Sequence, residues 1–205
     1  MSDGPVVGPN AILQTAAALD AQGGRALTRR VFAAAGLGAL LDAPPEAMVP
    51  EGQVAALMHA LHATLPSDIA RRVSRDAGRR TGDYILRHRI PAPARGMLRL
   101  LPARVAAPLL LRAVAAHAWT FAGSGRVEIV SARPARLMIH DNPLAVRGSD
   151  WHRAVLEGLF QSLVDPRAQV VQTASCAEGA GACIFEIVTG RPRRAARVAG
   201  PGASA

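Results

Sequence analysis

The chain has 205 residues, half of them hydrophobic and only 3% aromatic, and its formal charge is +9 with a pI near 11.4. That length and apolar share can bury one full core. No run reaches the roughly 18 to 20 apolar residues of a spanning helix, which excludes an integral membrane protein, and so few aromatics leave no base-stacking platform, which argues against nucleic acid as a partner.

All 24 basic residues are Arg. The opening MSDGPVVGPN has neither a basic n-region nor an apolar h-region, so a cytoplasmic setting is expected. Residues 1–10, rich in Gly and Pro, are expected to be disordered, as is the basic tail 191–205. Between them a single domain is expected over 11–190, helical over 11–121 and sheet-forming over 126–189.

Spaced apolar residues predict helices over Ala11 to Ala21 and Arg25 to Ala35, separated by Gly23 and Gly24. A third follows over Glu51 to Thr64 after the punctuation at Gly36 to Pro45. His59 and His62, three apart, share one side of it, with no third ligand nearby in sequence. Ser67 is placed as N-cap of a long helix over Asp68 to His88, with Asp68 favourable at its positive end. Its apolar face is expected to be Ile69, Val73, Ala77, Tyr84 and Ile85. Residues 71–104 hold ten Arg against Asp76 and Asp83. Such a face is solvated, or docks carboxylate-bearing ligands, an acidic partner or a membrane surface peripherally.

Pro91, Pro93 and Pro102 break up the next piece. Another helix is expected over Ala103 to Phe121, ending in HAWTFAGSG, which gathers His117, Trp119 and Phe121. Strands Arg126 to Ser131 and Ala135 to His140 alternate across a turn at Arg133 and Pro134. An amphipathic helix over Asp150 to Val164 then leads into VVQTASCAEGAGACIFEIVT, two β-rich arms around a glycine-containing tip. Helices followed by β-β-α-β-β give an α+β fold, with N-terminal helices packed on a twisted four-stranded antiparallel sheet.

Cys176 and Cys183 flank that tip, and closing the hairpin would bring the thiols together. Two thiols alone do not hold a structural zinc, and a disulfide suits an oxidising compartment. Packing as small hydrophobes stays open beside any metal or redox role.

HAWTFAGSG, NPLAVRG, WHRAVLEGLFQSLV and TASCAEGAGACIFEI together resemble the four-vinyl-reductase domain family over roughly residues 10–190. The most diagnostic piece is Cys176, Ala177, Gly179, Cys183 and Phe185. The resemblance implies a fold shared with vesicle-tethering subunits that hold an acyl chain and with sensory domains that bind aromatic effectors. It further implies a role in bacteriochlorophyll synthesis, handling a vinyl-bearing protochlorophyllide or chlorophyllide.

Sensory members of the family coordinate zinc through a Cys before the last helix, a Glu three residues before the hairpin Cys, and the two hairpin Cys. Here Cys176 and Cys183 match; Thr173 stands at the Glu position and Gly148 to Trp151 where the first Cys would be. Asp150, His152 and Glu178 are the available substitutes. No G-x-G-x-x-G after a strand, no P-loop and no iron–sulfur cysteine set supplies a place for an electron donor. The reading is therefore a non-catalytic accessory protein that binds the tetrapyrrole and delivers it to, or assists, vinyl reduction. The alternatives are the vinyl reductase itself with an external donor, or a small-molecule sensor. Candidate magnesium ligands are His117, His140 and His152; candidate ring contacts are Trp119, Phe121 and Trp151. Other enzymes of bacteriochlorophyll synthesis are candidate partners, and the sequence leaves room for a homodimer.

Overall fold

Small residues on one helix determine how closely the layers of this molecule approach. In the computed structural model, which describes residues 4–132 and 134–190, helix α3 (Ser67–His88) buries Ala70, Val73, Ser74, Ala77, Gly78, Thr81 and Gly82. Against it lies α7 (Trp151–Leu163). A Cβ on Gly78 would stand 2.4 Å from the Trp151 carbonyl oxygen and 2.9 Å from Ala154 Cβ. At Gly82 it would stand 3.2 Å from the Val155 carbonyl oxygen. The buried hydroxyls on this face are satisfied within α3: Thr81 Oγ1 donates to the Ala77 carbonyl at 2.9 Å, and Ser74 Oγ to that of Arg71 at 3.0 Å. The expected apolar face needs correcting, since Ile69, Tyr84 and Ile85 are only half-buried and the small residues occupy the centre. Ser67 opens the helix but makes no capping hydrogen bond; Pro66 stands at the N-cap instead.

Helix α1 (Asn10–Ala34) packs on the same α3 and comes in two arms, as expected, broken where Gly23 and Gly24 leave helical geometry. Gly24 sits at φ +71°, where glycine has no Cβ to clash. Helix α2 (Glu51–Thr64) has the expected bounds. The N-terminus departs from expectation: β1 (Val6–Val7) pairs antiparallel with β2 (Val49–Pro50), and Val7 is fully buried, so its side chain anchors residues that composition alone reads as loose. Residues 1–3, Arg133 of the expected turn and the tail 191–205 lie outside the described residues.

Two further differences concern the prolines. Pro91 and Pro102 do not disperse the segment between them; each is an N-cap, of α4 (Ala92–Leu100) and α5 (Ala103–Ala116). Their fixed φ suits a helix start, and the missing N–H falls where no intrahelical partner exists. The helix expected to run on to Phe121 ends at Ala116, and a short turn, α6 (Trp119–Ala122), follows.

The sheet is fully antiparallel in the order β3-β4-β6-β5, with β3 (Arg126–Ala132), β4 (Ala135–His140), β5 (Gln169–Ala174) and β6 (Ala182–Val188). Leu137, Ile139, Cys183, Phe185 and Ile187 point from the two central strands into the core. The α+β class and the four-stranded β-β-α-β-β arrangement are thus as read from the sequence.

Gly78→Ala should lower unfolding free energy by about 1–3 kcal/mol, because neither the Trp151 carbonyl nor Ala154 can move without shifting α7. Gly158→Ala, in the middle of α7 with nothing within 4 Å of the new methyl, should be neutral or stabilising by up to about 1 kcal/mol. Denaturant titration of both variants checks the contrast.

Candidate functional site

The close approach of α3 and α7 fixes the start of α7, where the residues with chemical potential gather. Ser74 Oγ of α3 accepts a hydrogen bond from the Asp150 N–H at 3.1 Å. The Asp150 carboxylate receives Arg75 Nη2 at 2.6 Å and Arg153 Nη2 at 3.0 Å. Burial works against the Asp150 charge, but the hydrogen bonds from Arg153 and Arg75 outweigh it and hold the carboxyl below its usual range. Residues 141–150 connect β4 to α7 and lie over the inner face of the sheet. Asn142 pins this loop: its Oδ1 accepts from the Leu144 N–H at 3.0 Å, and its Nδ2 donates to Cys183 Sγ at 3.6 Å.

His152, on the first turn of α7, points inward. The Trp151 ring meets it edge-on at 4.9 Å between centroids, and those of Phe121 and Phe185 lie at 6.4 and 6.0 Å. Its Nε2 stands 3.1 Å from the Phe121 carbonyl oxygen. A carbonyl only accepts, so Nε2 carries the proton and Nδ1 the lone pair. Burial pushes its pKa down to about 4, against the smaller opposing effect of that hydrogen bond, and the ring is neutral at ordinary pH. Three of the expected contacts, Phe121, Trp151 and His152, are therefore brought together.

Two openings flank this group. A cleft of about 230 Å³ lies outside the loop, lined by Arg71, Ser149, Asp150, Thr173, Ser175 and Glu178 among others. Behind it, a space of about 10 Å³, the volume of one water, touches Asn142, His152, Cys183 and Phe185. They share Val146, Ser149, Gln172 and Ser175 as a common wall, so the 141–150 loop separates the outer cleft from His152. Two buried polar atoms near this loop have no hydrogen-bond partner among the described residues: Trp151 Nε1 and His62 Nε2. The His62 ring is within about 4 Å of where a side chain on Gly148 would begin. Burial, and then the Arg71 charge, lower the His62 pKa.

The hairpin brings the cysteines together, with the Cys176 N–H donating to Cys183 Sγ at 3.3 Å. Both are free thiols, and burial raises the Cys183 pKa above its usual value. Gly148, Ser149, Asp150 and Thr173, the positions compared above with zinc ligands, line one cleft, which neither cysteine reaches. The side chains present do not make a zinc site: Asp150 is committed to two guanidiniums, and among the described residues no three His, Cys, Asp or Glu gather into a metal-holding group.

The remaining candidates lie elsewhere. His117 is exposed, with Nδ1 2.9 Å from the Ala113 carbonyl oxygen. Trp119 is exposed on α6. His140 is on the outer face of β4, with Nε2 3.1 Å from Glu128. Asn142 belongs to the site without having been singled out, whereas Arg71 and Arg75 were read only as part of the basic stretch and Ser149 only as standing where a Cys would be; the spacing of Ser74, Gly78 and Gly82, four apart along α3, was the available signal that α7 would come close.

The fold and site define an α+β protein with a loop-covered, aromatic-lined histidine at the seam between helices and sheet. No family model matches the chain. It is 46% identical over 188 residues to the bacteriochlorophyll synthase 23 kDa chain of Cereibacter sphaeroides, covering 89% of this chain and 90% of that one. It is 41% identical over 188 residues to the protein of the same name from Rhodobacter capsulatus, covering 89% and 87%. The chain therefore belongs to the family of bacteriochlorophyll synthase 23 kDa chains, the J type. Among solved structures, an H-NOX protein from S. oneidensis in the Fe(II)NO ligation state aligns with a TM-score of 0.50 at 12% identity, over 89% of this chain and 98% of that one, a likeness of fold alone.

A buried neutral histidine costs stability when it must take up a proton. The unfolded chain binds that proton near the ordinary pKa of 6.5 and the folded one only near 4, so stability is full above about pH 6.5 and falls as pH drops towards 4. The loss should reach roughly 3 kcal/mol. His62 pulls in the same direction, so the comparison is with His152→Gln, which keeps a donor for the Phe121 carbonyl. Urea unfolding at pH 7 and pH 4.5 should show a markedly smaller acid loss in that variant.

Proposed function

We propose that this protein is an accessory factor of bacteriochlorophyll synthesis that binds a vinyl-bearing magnesium tetrapyrrole and presents it for reduction by another protein. The names of the relatives support the pathway. The resemblance of HAWTFAGSG, NPLAVRG and TASCAEGAGACIFEI to four-vinyl-reductase domains supports the kind of cargo. The observation that carries the binding reading is His152: a neutral imidazole, its Nε2–H committed to the Phe121 carbonyl, its Nδ1 lone pair left as a base, within a shell of Trp151, Phe121 and Phe185. This is the protonation state an axial ligand for the cargo's magnesium needs, and the Nε2–H bond to the Phe121 carbonyl fixes ring orientation. An apolar shell suits the macrocycle's faces, and Arg71 at the outer cleft supplies charge for a ring carboxylate.

Reaching His152 requires the loop to lift, because the space beside it holds only about one water while a cofactor-sized ligand needs some hundreds of Å³. The attachment that would release is the Asn142 bond to Cys183, while the bond from the Leu144 N–H to Asn142 is internal to the loop and would move with it. The partnerless indole N–H of Trp151 fits a loop that rearranges, since an unpaired buried donor costs about 1–3 kcal/mol that a ligand acceptor could recover.

Titrating the protein with divinyl protochlorophyllide should give a saturable shift in absorbance and fluorescence at one pigment per chain. His152→Gln should weaken it at least tenfold with far-UV circular dichroism unchanged, while His117→Ala and His140→Ala should leave it intact. Adding NADPH should not alter the bound pigment. Conversion of its vinyl band would instead support a reductase, and absence of any shift would remove the pigment reading.

A further inference from the structure

The arginine surface expected over residues 71–104 divides into two unlike parts. On α3 much of it is neutralised at home: Arg72 pairs with Asp68 at 3.0 Å, Arg80 with Asp76 at 2.7 Å, and Arg75 with Asp150 at 2.6 Å. From the end of α3 onward the situation reverses. From Tyr84 to Val127 the chain has no acidic residue and seven Arg. Of these, Arg126 pairs with Glu128, whereas among the described residues none of Arg87, Arg89, Arg95, Arg99, Arg104 and Arg112 has an ion-pair partner. Arg95 and Arg99 donate to the carbonyls of Leu86 and Ser162, which orients them without cancelling their charge.

Among the described residues, the same stretch carries most of the exposed large apolar side chains. Leu100, at the corner between α4 and α5, is 88% exposed, Trp119 55% and Met97 54%; Val105 and Leu109 are exposed as well. On α5 the exposed positions Val105, Leu109, Arg112 and Ala116 recur at helical spacing on one side, while Ala106, Ala107, Leu110, Leu111 and Val114 are buried on the other. These exposed apolar side chains share the α4–α6 stretch with guanidiniums that have no ion-pair partner among the described residues. A second copy of the chain would set like charges against each other. A fluid layer with anionic head groups satisfies both chemistries: aliphatic and indole side chains enter the head-group boundary while arginines meet the negative charge. No helix among the described residues is long and apolar enough to cross a membrane.

We infer that the α4–α5–α6 face, centred on Met97, Leu100, Val105, Leu109, Arg104, Arg112 and Trp119, is a peripheral docking surface for an anionic lipid bilayer. It lies on different elements from the His152 site except at α6, where Phe121 faces inward and Trp119 outward, and it does not depend on what the cleft holds. Glu51, which accepts from the N–H and hydroxyl of Ser124, bounds it beyond α6.

The test is co-flotation of the full chain with vesicles of phosphatidylcholine containing 30% phosphatidylglycerol, and with phosphatidylcholine alone, at low and high salt. Binding is expected only to the anionic vesicles, weakened by salt. Leu100→Ser with Met97→Ser should reduce partitioning at least tenfold, Arg104→Gln and Arg112→Gln about fivefold each, and Arg72→Gln on α3 hardly at all. Trp119 emission should shift to the blue on binding, and Trp119→Phe should abolish the shift, because Trp151 is already buried. Failure to float at any composition would overturn the inference, as would binding that survives the α4–α5 changes. So would loss of a concentration-dependent dimer, measured by light scattering, in the Leu100→Ser, Met97→Ser variant, which would make the face a contact between copies.

Discussion

The distance between α3 and α7 is the constraint on which the site depends. Dispersion contacts and exclusion of water hold two helices together in any core, but side chains normally keep their backbones 8–10 Å apart. Gly78 and Gly82 remove that spacing, so the first turn of α7 lies directly on α3. Close approach lets Ser74 accept from the Asp150 N–H and lets Arg75 reach the Asp150 carboxylate across the helix pair. The start of α7 is thus fixed from outside itself. Trp151 and His152, the next two residues, inherit that position, one with its ring against the other and the histidine aimed at Phe121 and Phe185.

From this placement the chemistry follows. Surrounding rings withdraw water from His152, and loss of water disfavours the imidazolium, so the group is a neutral base within reach of a loop rather than a proton donor. The Phe121 carbonyl decides which nitrogen holds the lone pair. Phe121 sits on the same short α6 that turns Trp119 outward. The segment HAWTFAG therefore serves two sides of the molecule: an inward carbonyl and ring for the histidine, and an outward indole for the surface that the unpaired arginines surround.

Much of the fold was legible because its periodic signals agree with the final packing. The α2 bounds, the break at Gly23 and Gly24, the four strands and the pairing of Cys176 with Cys183 follow from apolar spacing, glycine and β-branched residues. The failures have physical causes. Val6–Val7 form a strand only because a distant segment, Val49–Pro50, offers the other half of the ladder. Pro91 and Pro102 read as breakers, yet at an N-cap a proline favours the helix that follows. On α3 the expected Val73 and Ala77 are buried, but the rest of the buried stripe is Ala70, Ser74, Gly78, Thr81 and Gly82, invisible to a reading that counts large apolar residues. Ring side chains singled out Phe121, Trp151 and His152, which the fold places side by side. Residue type alone could not separate these from Trp119, His117 and His140, because sidedness on a short helix or strand is decided by neighbours far away in sequence.

The state of the His152 ring is the most direct test of the account. Long-range proton–nitrogen correlation spectra of the imidazoles at pH 7 should show His152 neutral and protonated at Nε2, with Nδ1 at the shift of a bare ring nitrogen. Adding one equivalent of the magnesium pigment should move that Nδ1 resonance and leave those of His117 and His140 in place. A cationic ring, a proton on Nδ1, or an Nδ1 resonance indifferent to the pigment would contradict the claim that this histidine is held ready as a ligand.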